Sequence, residues 1–227
     1  MTAPTLLLLL ADGRFPAGAH AHSSGLEAAV AAGRVTDLAT LGEYLRGRLA
    51  TAGLVAAAFA AASRRAARSA GRRDLLARLD AELDARTASP AQRAVSRRQG
   101  RALLRAGREI WPGDTFDDLP AVPSGPHQPL VLGLVGAAAG LDPAQVATVA
   151  AHATVTGSAS AAVRLLGLDP YRVQALLVRL AVACDATAAR AARAAEEPPE
   201  RLPAAAAPLA DIHAEVHATW EVRLFAS

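Results

Sequence analysis

Apolar residues recur along most of this chain at three- and four-residue intervals, the spacing of one face of a helix. The clearest case is Leu38, Leu41, Leu45, Leu49 and then Val55 or Phe59, with Glu43, Arg46 and Arg48 on the opposite face. Thr36-Asp37 ahead of it supplies a capping side chain, and Gly53 marks a point where the helix can bend. Asp74 to Arg86 repeats the pattern with Leu75, Leu76, Leu79 and Leu83. Ser89-Pro90, Asp142-Pro143 and Asp169-Pro170 each pair a cap with proline at the first helical position. They predict helices running to about Trp111, toward Leu166, and through Ala183 to Ala194. Pro129 to Ala139 reads as a buried helix closed by Gly140, and Leu209 to Glu221 as a last amphipathic one. No segment alternates at period two for long enough to make a strand.

The connections are legible from their breakers. Leu6 to Ala11 is a short helix or a buried extended run, a strut leading into a polar corner built on Gly13, Pro16 and Gly18. Ser23 or Ser24 then caps a short helix that stops at Gly33. Ser63 to Arg73 reads as an arginine-rich hinge, and Gly157 as a bend or a close helix contact. Residues 112–126 hold four prolines, two glycines and three aspartates and read as a flexible loop. Without a repeat or a composition shift, the 227 residues read as one all-α domain of about nine or ten helices, compact, with a C-terminal helix and tail over 208–227.

Composition sharpens this reading. Hydrophobic residues make up 52% and aromatics 4%, so the core must be built from Ala, Leu and Val, and alanine favours helix. All 24 basic residues are Arg, and the formal net charge is only +3. That balance does not by itself point to nucleic acid. The single cysteine, Cys184, fits a reducing compartment and reads as a buried, inert thiol. The N-terminus lacks a basic flank, and the runs from Leu49 to Ala62 and Pro129 to Leu141 fall short of a membrane span. A cytoplasmic protein with no membrane partner is expected.

The usual catalytic signatures are missing: no GxxxxGK[ST], HExxH, CxxC or GxSxG occurs. His213 and His217, four apart on one helix face with Glu221 a turn beyond, have the spacing of metal ligands, but no third ligand is fixed by spacing, and the pair reads first as a solvated or partner-facing helix surface. His20 and His22 read first as rings that bond nearby backbone to hold the N-terminal bend, with partner contact and metal binding as the alternatives. The arginines over 64–73 and 93–108 raise the alternative of a helical nucleic-acid-binding regulator, against which stand the few aromatics and the lack of a recognition helix. The last residues, Arg223-Leu224-Phe225-Ala226-Ser227, would fray unless the Leu-Phe pair docks in a groove, the chain's own or a partner's.

These residues resemble a known family. Asp12, Pro16, Gly18, His22, Ser23, Gly25, Leu26 and Glu27 stand in register with the N-terminal signature of UreF urease accessory proteins. Arg93, Ser96, Gly100, Leu103 and Leu104 match a second segment, Ser160 to Leu165 with Gln174 a third, and Arg223-Leu224-Phe225 with Ser227 the terminal one. The chain departs from the pattern at His20, where the family has Phe, and at Gly167-Leu168-Asp169-Pro170. The resemblance implies an all-α, dimeric, non-catalytic scaffold, without a cofactor of its own. Such a scaffold binds UreD (UreH), recruits the GTPase UreG, and acts on apo-urease as a chaperone of nickel insertion and metallocentre assembly; regulation of the GTPase has been proposed. The partner-binding residues expected from it are His22, Ser23, Gly25, Glu27, Arg164, Gln174, Arg223 and Phe225.

Overall fold

The computed structural model describes residues 4–16 and 22–225. Among them are nine α-helices and no strand: α1 (Pro4–Ala11), α2 (Leu26–Ala31), α3 (Leu38–Ala66), α4 (Arg72–Arg86), α5 (Pro90–Ile110), α6 (Gln128–Ala138), α7 (Pro143–Leu166), α8 (Pro170–Ala194) and α9 (Pro208–Ala218). The all-α expectation holds. His20, Gly18 and Ser227 lie outside the described residues.

The helix starts are where local chemistry places them. Asp37 and Asp142 form capping boxes with Thr40 and Gln145, and Ser89 and Asp169 accept from the first-turn amides of Gln92 and Tyr171. Gly33, Gly140 and Gly167 close α2, α6 and α7 at positive φ, where a Cβ would be strained. At Gly53 the chain stays helical through a π-helical turn, Leu49–Gly53, that interrupts the α-helical hydrogen bonding inside α3.

The second half of α3 is the centre of the bundle and packs on α6, α7 and α8, while α7 lies along α8 and α5 along α6. Its interior face is alanine around one large ring: Ala57, Ala58, Ala60 and Ala61 are fully buried beside Phe59. Small side chains let backbones approach closely, and the crossing with α6 uses this to its limit. A Cβ on Gly133 would lie 2.5 Å from the Ala60 carbonyl oxygen. Gly133→Ala should therefore destabilise the fold by about 1–3 kcal/mol, read as a lower urea midpoint with unchanged slope.

Four expectations need correction. The Ser63–Arg73 hinge is mostly helix, with the turn confined to residues 67–71. Ser63 and Arg64 are buried because each has a carbonyl to meet: Ser63 Oγ donates to Leu130 O and Arg64 Nε to Leu141 O. Gly157 makes no close helix contact: open space stands where a Cβ would be, and α7 is continuous through it. The N-terminal strut is a helix against α7 that buries only Leu10, while Leu8 and Leu9 are exposed. Finally, Leu38–Ala66 and Pro143–Leu166 are each long and apolar enough to cross a membrane by length and composition, although most of each such stretch is buried in the bundle core.

Candidate functional site

The N-terminal motif is built around two consecutive left-handed residues, Ser24 (φ 57°) and Gly25 (φ 84°). The turn they make reverses the chain before α2 and leaves the Ser24 carbonyl pointing at α3, where Tyr44 Oη (3.0 Å) and Arg48 Nη1 (2.7 Å) donate to it. Ser23 is fully buried; its Oγ accepts from the Glu27 amide at 3.2 Å, and its carbonyl accepts from Ser158 Oγ on α7. The expected serine cap is thus real in substance, although the helix boundary falls at Gly25. His22 is buried beside it.

Glu27 is the hub of the site. Its carboxylate accepts from His217 Nε2 (3.0 Å) on α9 and from the backbone amides of Leu224 (2.8 Å) and Phe225 (3.0 Å) in the tail. Segments some 190 residues apart in sequence, at |i−j| of 190, 197 and 198, meet on one side chain. Burial pushes the Glu27 pKa up, but the bonds from Leu224, His217 and Phe225 outweigh it and hold the carboxyl below the usual glutamate range. Phe225 is buried and Arg164 of α7 lies 4.8 Å from its ring centroid, a cation–π contact. Phe225 therefore docks on the chain's own body, while Leu224 is held by its amide and leaves its side chain exposed, so only half of the expected Leu-Phe pair is seated. His217 also packs on Trp220, with ring centroids 4.7 Å apart.

A second polar cluster explains the Arg93–Leu104 motif, and it was not legible beforehand. Arg97, buried on α5, forms ion pairs with Asp80 (3.0 Å) and Asp84 (2.8 Å) of α4 and donates to Gly125 O. His127 is fully buried between them: Nε2 donates to Asp84 (2.9 Å), and Nδ1 accepts from Ser96 Oγ (2.9 Å). Burial above all, and then the Arg97 charge, hold the His127 pKa down, so the ring is neutral and this tautomer follows. Gly100 backs onto Pro126 and His127 so closely that a Cβ would clash with their backbone. Arg93 caps the end of α4 through Thr87 O and Ala88 O. The motif is a clamp on the chain entering α6. Ser96, His127 and Asp84 have the residue types of an acyl-transfer triad, but the enclosed His127 ring is held among Asp84, Asp80 and Arg97, and its chemistry here is structural. The only advance signal was the i,i+4 pair Asp80 and Asp84 facing an arginine-rich helix.

The remaining predicted residues are placed as follows. Arg164 joins the junction through Phe225, while Arg223 is exposed next to it in sequence. Gln174 is exposed on α8, in a groove of about 490 Å³ between α7 and α8, and takes no part in the junction's hydrogen bonds. His213 and His217 do not share an ion site: His217 is committed to Glu27, and no group of three or more His, Cys, Asp or Glu able to hold a metal occurs among the described residues. Cys184 is buried, its thiol pushed up to about 11 chiefly by that burial, which keeps it protonated and unreactive. The arginines that suggested nucleic acid are largely spent internally, Arg72 and Arg73 on Asp118, Arg65 on Glu196 and Arg97 as above.

Comparison with known proteins identifies the family. The UreF family profile matches residues 35–181. The urease accessory protein UreF of Mycobacterium sp. (strain JLS) is 48% identical over 227 residues, covering 100% of both chains. Those of Mycolicibacterium vanbaalenii and Mycobacterium marinum are each 45% identical, again over 100% of both chains.

Proposed function

The chain belongs to the UreF family of urease accessory proteins, and from that premise we propose that it is a non-catalytic scaffold of urease maturation in the cytoplasm. In this reading it forms a homodimer, binds UreD (UreH), brings the GTPase UreG to apo-urease so that nickel is inserted, and regulates that GTPase. The observation that supports a binding role is the pattern of exposed apolar residues. On α8, Tyr171, Val178 and Val182 are 85%, 68% and 79% exposed at spacings of seven and four, which makes one stripe. On α9, Leu209, Ile212 and Val216 are exposed at spacings of three and four. Faces of this kind on a folded bundle suit partner helices better than water. The Glu27 junction sets the position of α9 and the tail, so the motif residues His22, Ser23, Gly25, Glu27, Arg164 and Phe225 act by presenting this surface. Arg223 and Gln174, both exposed, would contact a partner directly.

The test is co-purification with UreD and UreG homologues, together with urease activation in a deletion strain. Val178→Asp/Val182→Asp should abolish a complex that the wild-type chain forms, while leaving the melting temperature within about two degrees, as exposed sites do. Intact urease activation without this chain would overturn the assignment.

A further inference from the structure

A cavity of about 550 Å³ lies between α3, the α4–α5 corner and the segment leading into α9. Its size is that of a small-molecule site, and its walls are mostly apolar, with Ala52, Val55, Leu83 and Leu209 among them. The π-helical turn of α3 contributes Thr51 and Ala52 to the wall, an irregularity that recurs at binding sites.

The charges on this wall are unbalanced. Glu43 is engaged by Arg46 (2.7 Å), Asp211 accepts from Gln92 Nε2 (3.0 Å), and Arg86 is paired with Glu82. Arg34 and Arg48 have no carboxylate within ion-pair reach among the described residues. Arg48 spends Nη1 on the Ser24 carbonyl, and its Nη2 has no acceptor among the described residues. The wall therefore has donors and positive charge to spare and is short of acceptors, over an apolar floor.

We propose that this cavity binds a small amphipathic carboxylate, its head on Arg48 and its alkyl body along Ala52, Val55 and Leu83. A carboxylate supplies the missing acceptors in the geometry a guanidinium prefers. The ligand would bridge α3 to the segment carrying α9, and this holds whether or not the urease partners are those named above.

Isothermal titration of the full chain with decanoate and with decanol, below their aggregation limits, tests it. Decanoate should bind about tenfold more tightly than decanol, the ratio expected of a charge-assisted pair. Arg48→Gln should bring decanoate down to the decanol level. Because that variant also loses the bond to Ser24, Ala56→Phe serves as the second: it fills the cavity, keeps Arg48, and should abolish binding of both. No decanoate binding, equal binding of the two probes by the wild type, or unchanged decanoate binding by Ala56→Phe would each overturn the proposal.

Discussion

Glu27→Ala should destabilise the protein by about 3 kcal/mol and release the end of the chain. The substitution removes one buried side chain but strands three donors: His217 Nε2 and the amides of Leu224 and Phe225. Buried donors left without an acceptor are costly, and those lost to an ionised group more so. Urea denaturation gives the stability change, and carboxypeptidase digestion reads the tail, which should be trimmed past Phe225 in the variant and protected in the wild type. The same junction sets an acid limit. Because the Glu27 pKa is lowered on folding, its contribution is fully present above the ordinary glutamate value of about 4.3 and is lost as pH falls through the lower folded value. Wild-type stability should fall over that window, and Glu27→Ala should lack this component. A variant within about 0.5 kcal/mol of wild type, with the same acid profile, would show that the tail is held by Phe225 packing alone.

Arg97→Met should be the most damaging exchange at the second cluster, costing about 3–5 kcal/mol. It fills nearly the same space but leaves Asp80, 4% exposed, without its cation and the Gly125 carbonyl without its donor. Burial works against the Arg97 charge, yet Asp80 and Asp84 outweigh it and hold the guanidinium pKa above its usual value. Removing both charges with Arg97→Met/Asp80→Leu should recover a substantial part of the loss, since no orphaned ion remains. Denaturation midpoints of the two variants decide this; equal losses would mean that the arginine matters only through its bond to the Gly125 carbonyl.

Helix α9, whose stripe is proposed above to meet partners, is anchored at two points. The α9 stripe and the tail are presented by Glu27 and His217 at one of them. At the other, the Glu215 carboxylate accepts from the Ser89 hydroxyl and the Ala91 amide at the start of α5. A partner that grips α9 would thus feel the state of the N-terminal motif. That gives the first and last signature segments one shared physical role, although they sit at opposite ends of the sequence.

What the sequence by itself determined was local. Caps at Asp37, Ser89, Asp142 and Asp169 act within three or four residues, and the leucine and alanine periodicity reports a single helix face, so element type and most boundaries were readable. The family signature was readable for a related reason, as fixed spacings within short segments. The tertiary structure alone decided what those residues do. Ser63 and Arg64 read as part of an arginine-rich hinge, and only the packing sets the carbonyls of Leu130 and Leu141 opposite them. Glu27 looked like a first-turn acid awaiting a partner until the chain returned and placed His217, Leu224 and Phe225 around it. A hydrogen bond between segments 190 residues apart leaves no periodicity in the sequence, because its partner is chosen by how helices pack and not by what neighbours it along the chain.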